Sequence, residues 1–471
     1  MGKSSTAKTS TVPRLCQNAL SLPEIIASSL ANIAPAMCIF FSLALMVDGA
    51  GIAAPLTMIV AAIAIIFHAN SITEFTRAIP SAGSYITFIG SSFGPTVSGI
   101  TALAVAFGYI VAIGAVMTMM GYWTGNILKI FLGITIPWQL IAIAFVAFVM
   151  FLTIRGIKLS THWVIGVFLF ELAMLFLATI AIFIRNPGYI TLAPFNPANL
   201  KNGFQGISLG FPIAIFMFIG VGNSAALAEE TEDPRRNVPR AVYTTVLVAA
   251  VLYLLFGYAS IVGLHNNAAV IAKSDIPFLD AGKLALGHFI YIVYLAGFTS
   301  ILACLIGATN AQTRMLFSAS REGILPGFLS KVSKNQTPYA AIFFYSLVAM
   351  AITLSWGISA KPLDLYGFLG TLGSIPVILI YVALNFALPV YYKKNLPGQF
   401  SPFRHMVMPI ISTLTLLYPL WGMIEPGQPK PFNYFPYIVL TYLVLAVAYA
   451  IFASSTNKDF ASNVGTVIAD Q

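Results

Sequence analysis

Two features of this sequence combine residue types that work against their surroundings. The first is Glu171, in the apolar run VIGVFLFELAMLFLA (164–178). It is the only one of fifteen acidic residues that falls deep inside a stretch suited to lipid. A charge at such depth costs roughly 2.5–3.5 kcal/mol on insertion scales. A carboxyl retained at that cost can act as a protonatable coupling group. A protonated acid bonded to a neighbouring helix, or one facing water, are the structural alternatives. The second feature is a pair of weak points in apolar segments. One is Asn32 and Pro35 in SSLANIAPAMCIFF (28–41). The other is Gly220, Gly222 and Asn223 in FMFIGVGNSAALAEETEDPRRNVPR (216–240). Pro35 removes one backbone hydrogen bond and blocks another, and the glycines loosen the helix by entropy. Each weak point frees N–H and C=O groups, which can bind an anionic group and an ammonium.

The elements that carry these residues are membrane spans. Of 471 residues 58% are hydrophobic and 8% charged, against about 25% charged in soluble domains. Apolar runs of about 20 residues predict an all-α integral membrane fold with twelve spans. They fall at 22–47, 52–70, 97–128, 136–154, 160–184, 204–228, 240–264, 286–316, 338–357, 364–391, 405–424 and 433–453. Ser21 and Glu24 have capping-box spacing at the first span, with Pro23 in its first turn. Residues 1–20 read as a disordered tail without a signal-peptide core, 21–391 as the core, 392–453 as two peripheral spans and 454–471 as a second tail.

The net charge of +9 fits the bias of positive charge toward cytoplasmic loops better than nucleic-acid binding. With both termini cytoplasmic, 17 of the 24 Lys and Arg lie inside, among them Arg77, Arg155, Arg235, Arg236, Arg314, Arg321 and Lys458. The chain therefore reads as a multi-pass cell-membrane protein with that orientation. The five tryptophans, Trp123, Trp138, Trp163, Trp356 and Trp421, sit near span ends, as an aromatic belt requires. Cys16, Cys38 and Cys304 imply no disulfide framework.

A lone kink is ordinary packing, but two breaks in spans one and six have a further meaning. Five spans separate equivalents, so the second half is inverted relative to the first. Inverted repeats with one discontinuous helix each are how many secondary transporters build a midplane site. Half-helix N-termini would offer free N–H groups to an anionic group, and freed carbonyls would receive an ammonium. An amino acid has both.

The segments Phe218-Ile219-Gly220-Val221, Ala228-Glu229-Glu230, Asp233-Pro234-Arg235-Arg236 and Asn237-Val238-Pro239-Arg240-Ala241 resemble a signature of the amino acid–polyamine–organocation (APC) superfamily of permeases. So do Glu74-Phe75, Pro80-Ser81-Ala82-Gly83-Ser84-Tyr85 and Phe93-Gly94-Pro95, and, after the eighth span, Arg314, Ser320-Arg321-Glu322-Gly323, Leu325-Pro326 and Thr337-Pro338. The resemblance implies a LeuT-like fold: two inverted five-helix repeats, spans 1–5 and 6–10, plus two peripheral helices. It implies substrate binding at Asn32, Ile33, Ala34, Pro35, Ala36 and Met37 and at Phe216, Phe218, Ile219, Gly220 and Gly222. Aromatic residues in the sixth span, here Phe216 and Phe218, would cover the substrate. Many relatives have Gly-Ser-Gly where this chain has Pro35-Ala36-Met37. Many have a glutamate where it has Gly222. No acid then stands in the sixth-span break or near either break, which argues against a cationic substrate and for a neutral one. Many also carry a lysine at the point of Glu171. The acid implies a proton site, or a sodium site shared with Thr299 or Ser300 of the eighth span.

His68, His162, His265, His288 and His405 lie near span ends without metal-ligand spacing and read as interfacial packing. Glu229, Glu230, Glu232 and Asp233, beside Arg235 and Arg236, read as an internally paired latch that grips Arg77 or Arg321 when a gate is shut, or as a solvated loop. Channels show charged rings or carbonyl filters, and an enzyme needs a catalytic constellation; neither pattern is in the sequence, nor is a cofactor motif. The expectation is a proton-coupled amino acid permease whose partners are the substrate, protons or sodium, and lipid. Polyamine or cationic amino acid transport, uncoupled amino acid exchange and a receptor without transport remain open.

Overall fold

Prolines set where most of the long helices begin. Pro35, Pro55, Pro95, Pro234, Pro277 and Pro362 all stand in first turns, where a missing N–H removes nothing. A computed structural model describes residues 15–456 and Phe460. The expectations for residues 1–14 and 461–471, and for Lys458, lie outside the described residues.

In chain order the helices are α1 (Leu22–Ile33), α2 (Pro35–Ala50), α3 (Ala54–Ala78), α4 (Tyr85–Phe93), α5 (Pro95–Leu132), α6 (Trp138–Arg155), α7 (Ile157–Arg185), α8 (Phe204–Phe216) and α9 (Asn223–Ala226). They continue as α10 (Pro234–Gly263), α11 (Ala268–Lys273), α12 (Pro277–Leu286), α13 (Tyr291–Arg321), α14 (Tyr339–Trp356), α15 (Pro362–Asn395), α16 (Met408–Ile424) and α17 (Phe435–Thr456). Ten helical stretches among the described residues are long and apolar enough to cross a membrane. The twelve expected spans are counted differently here for two local reasons. Leu22–Ala78 runs as one stretch through the first two, and the sixth is cut to the 13-residue α8 by its own break. The expected capping box is present: Ser21 N–H and Oγ both donate to Glu24 Oε2, at 2.7 and 2.6 Å.

Where helices cross closely, small residues allow it. A Cβ on Gly373 of α15 would lie 2.8 Å from the Gly108 carbonyl of α5, so α5 and α15 meet backbone to backbone. The basic stretches gather at one end of the bundle. There Arg235 donates to the Arg77 and Ala78 carbonyls, and Asn335 donates to the Arg155 carbonyl. This is called the basic end below.

Four expectations need correction. Residues 15–20 are not a free tail. Ala19 and Leu20 N–H both donate to the Glu230 carbonyl, at 2.8 and 2.9 Å, and Leu20 accepts from Glu232 N–H. Leu15 and Leu20 are buried, so backbone pairing and two apolar side chains hold the segment. Trp123 is not in a belt; it is buried, stacks on Tyr294 and donates to its carbonyl at 2.8 Å. His68 and His405 are not interfacial. His68 is buried with its ring 4.0 Å from that of Tyr381, and buried His405 bonds Glu74 through Nε2. Two acids of the cluster pair outside it. Glu229 and Glu230 reach across to Arg321 and Arg314 of α13.

Candidate functional site

The first break can be accounted for one hydrogen bond at a time. Ala34 adopts a left-handed conformation (φ 52°, ψ 72°) between α1 and α2. Its N–H still donates to the carbonyls of Leu30 and Ala31, and Pro35 has no N–H. Two donors and two acceptors then lose their helical partners, since Ala36 and Met37 no longer face the Asn32 and Ile33 carbonyls. Buried backbone groups must be satisfied somewhere. Ala36 N–H donates to Glu171 Oε1 at 2.8 Å, and Met37 N–H to Ser300 Oγ at 3.3 Å. Ser300 Oγ in turn donates to the same Glu171 oxygen at 2.8 Å. On the acceptor side, Cys304 Sγ donates to the Asn32 carbonyl and Cys38 Sγ to the Ile33 carbonyl, both at 3.1 Å. The Tyr253 hydroxyl also reaches Ile33, at 3.3 Å.

The lone acid of α7 therefore caps the N-terminus of α2. That arrangement overturns two expectations. The half-helix N–H groups are not free in this conformation, and an acid does stand at a break. Glu171 is fully buried, and its second oxygen, Oε2, has no hydrogen-bond partner among the described residues. Ser300 is at the site. Thr299 is not, because its hydroxyl donates to the Ala296 carbonyl of its own helix at 2.9 Å.

The second break follows α8. Residues 217–222 run in successive turns, with Phe218 N–H on Ile215, Ile219 N–H on Phe216 and Val221 N–H on Phe218. Gly220 has φ 110°, a conformation side-chain-bearing residues rarely adopt, and any Cβ there would collide with the Asn32 amide. The two breaks thus touch, Gly220 against Asn32. The Met217 carbonyl, freed here, accepts from the Tyr253 hydroxyl at 2.6 Å.

A cavity of about 40 Å³ lies between the breaks, large enough for a few waters. Asn32, Ile33, Met37 and Cys38 line it from the first break, and Phe216 and Ile219 from the second. Tyr109, Ala112, Ile113 and Val116 of α5 and Cys304, Ala308 and Gln312 of α13 complete it. Other expected residues lie elsewhere. Ala34, Pro35 and Ala36 form the break itself, Phe218 packs edge-on to Tyr253, and a Cβ on Gly222 would meet the Tyr85 hydroxyl. Among the α5 and α13 contributors, Tyr109, Ala112, Ile113, Val116 and Cys304 stand among apolar neighbours that give no local signal, whereas Gln312 lies in the polar run 309–314.

Phe216 also lines a second cavity of about 280 Å³, with Leu45, Tyr366, Gly370, Glu425 and Gln428. Its ring lies edge-on to Tyr366, 5.8 Å between centroids, and it separates the two spaces. At the basic end two ion pairs bridge the segment after the second break to α13. Arg321 donates to both Glu229 oxygens, at 2.9 and 2.5 Å, and Ala82 N–H joins them at 3.1 Å. Arg314 grips Glu230 through Nε and Nη2, with both side chains fully buried.

Beside these pairs Glu322, just past α13, accepts from Thr87 and Ser318 at 2.9 and 3.1 Å. Burial pushes its carboxyl up to about 7, against the pull of the Thr87 bond and Arg321. A raised value means the closed form binds this proton more tightly than a hydrated form does. The closed form's advantage is full below the ordinary carboxylate range and is lost as pH rises through about 7. Hydrogen exchange of the 228–232 segment should therefore quicken as pH rises from the ordinary carboxylate range to about 7 and level off above it, beyond its intrinsic pH dependence. Glu322→Gln should remove that excess; an unchanged excess would exclude Glu322 as its source.

A sequence profile of the amino acid permease family matches residues 24–462. A branched-chain amino acid permease of Bacillus subtilis is 26% identical over 408 residues, covering 80% of this chain and 82% of the relative. A methylthioribose transporter of the same organism is 25% identical over 402 residues, with the same coverage. A D-serine/D-alanine/glycine transporter of Escherichia coli is 23% identical over 197 residues, 41% of each chain.

Proposed function

The chain belongs to the amino acid permease family, within the APC superfamily, and on that premise we propose that it carries neutral, apolar amino acids across the cell membrane, each with one proton. Amino acid transport across a membrane is the family's activity. We extend that activity to a substrate type, a coupling ion, an orientation and a twelve-span inverted repeat. The basic end is then cytoplasmic, since short basic loops stay inside.

One observation carries the coupling: Glu171 Oε1 occupies the Ala36 N–H at the α2 N-terminus. That N–H is where an amino acid's carboxylate is best held, at the positive end of a half-helix. Two carboxylates cannot both keep their charge at one buried helix end. Arrival of the substrate's carboxylate is therefore matched by protonation of Glu171, which gives up its grip on Ala36. Ser300, bonded to both Met37 N–H and Glu171, keeps the released carboxyl close. The freed carbonyls of Asn32, Ile33 and Met217 take the ammonium. The apolar cavity wall of Ile113, Val116, Ile219 and Ala308 receives the side chain, as the name of the Bacillus subtilis branched-chain permease suggests. Phe216 opens toward one side, and the Glu229–Arg321 and Glu230–Arg314 pairs open toward the other. Alternating access then couples the two ligands because both favour the same transition.

Purified protein in liposomes with labelled leucine tests this reading. Unlabelled leucine, isoleucine and valine should compete at concentrations where arginine, lysine and putrescine do not. Competition by putrescine with none by leucine would replace it with a polyamine carrier. Counterflow that no pH gradient can drive uphill would make the protein an exchanger.

A further inference from the structure

The acceptor side of the first break is closed by thiols, and that choice has a chemical consequence. Cys304 Sγ is the donor to the Asn32 carbonyl, and Cys38 Sγ shares the Ile33 carbonyl with Tyr253. Both cysteines also line the cavity between the breaks. A thiol is a weak donor. It satisfies a buried carbonyl enough to keep the empty break folded, yet it competes poorly with a charged donor. A serine hydroxyl in its place would compete strongly, and an alanine would leave the carbonyl without a donor.

We propose that Cys304, and to a lesser degree Cys38, are placeholder donors that hold the freed carbonyls of the first break until the substrate's ammonium displaces them, and so set the affinity for the amine. The proposal rests on the reading that an amino acid binds at this break. Cys304 bears the larger share because the Asn32 carbonyl has no other donor among the described residues, whereas the Ile33 carbonyl also has the Tyr253 hydroxyl at 3.3 Å, a weaker share of a proton directed mainly to Met217 at 2.6 Å. The thiols are positioning residues: they tune what the carbonyls offer and do not contact the substrate's reacting or recognised groups by themselves.

The two replacements of Cys304 should move affinity in opposite directions. With whichever amino acid the wild type takes up best, Cys304→Ser should raise Kd and Cys304→Ala should lower it, each by about three- to tenfold. A cysteine that merely packs would give two losses, the alanine worse through its cavity. The same titration with the deaminated analogue, 4-methylpentanoate where leucine is the substrate, should show no such opposition, because no ammonium competes. Should the alanine variant not fold, the serine variant still decides: a Kd raised for the amino acid and unchanged for the analogue supports the proposal, and an equal or lower Kd overturns it. If both Cys304 variants shift the same way, the placeholder role is wrong while the transport reading stands. If the wild type takes up no amino acid, the transport reading itself fails and this inference falls with it.

Discussion

Glu171→Gln is expected to abolish uphill uptake while leaving substrate exchange intact. With the membrane potential clamped, one proton per substrate lets a gradient of one pH unit support accumulation of up to about tenfold. The glutamine variant should reach a ratio of about one at any imposed gradient. The fold should tolerate it. Glutamine keeps an oxygen able to accept from Ala36 N–H and from Ser300, the two bonds that Glu171 Oε1 accepts. What changes is the proton. The amide cannot ionise, so it sets no charge against the substrate's carboxylate, and affinity should become independent of pH. Glu171→Ala differs: it leaves Ala36 N–H without its partner, at a cost of about 1–3 kcal/mol, and should lose folded protein as well as coupling. If a sodium gradient and not a pH gradient drives the wild type, the acid belongs to a cation site with Ser300, and the proton reading is withdrawn.

Arg314→Ala should cost more stability than any other single change considered. Arg314 and Glu230 are both fully buried and bonded in a fork, and Arg314 also donates to the Asn310 carbonyl. Removing the cation leaves an uncompensated buried carboxylate, worth about 3–5 kcal/mol of destabilisation. Glu230 also holds residues 19–20 through its carbonyl, so the loss would spread to the N-terminal segment. The double variant Arg314→Met/Glu230→Leu should recover much of the stability, because replacing a whole buried pair by apolar residues is often neutral. Its basic end would then lack one of its two ion-pair locks. Thermal unfolding followed by size-exclusion chromatography of the detergent-solubilised protein reads both effects. Single variants as stable as the wild type would mean that the pair is hydrated or not ionised.

Much of this architecture is legible in the chain, and the limits have physical causes. Pro35 and Gly220 mark the two breaks because backbone chemistry acts locally. Glu171 stands out because a carboxyl in an apolar run has a known cost. Its position against Ala36 does not stand out: the partners are 135 residues apart, and no local pattern encodes which face of α7 meets which half-helix. The same holds for Cys304 and Asn32, 272 residues apart. Trp123 and His68 were misjudged for a related reason. In a membrane span both the lipid-facing and the protein-facing sides are apolar, so periodicity does not separate them as it does in a soluble helix. Residues 15–20 escaped because only two large apolar side chains, Leu15 and Leu20, anchor them beside backbone bonds, which leave no trace in side-chain composition. The ion-pair partners of Glu229 and Glu230 were half legible, since Arg321 was among the candidates and Arg314 was not.

Proton uptake on substrate binding tests the central claim most directly. Purified protein in weakly buffered detergent solution, with a pH indicator, is mixed with saturating leucine or with the best substrate found in the uptake assay. The competition of two carboxylates for the α2 N-terminus predicts close to one proton taken up per substrate bound by the wild type near neutral pH, and none by Glu171→Gln at equal occupancy. Substrate binding to the wild type without proton uptake, or equal uptake by the glutamine variant, would contradict it.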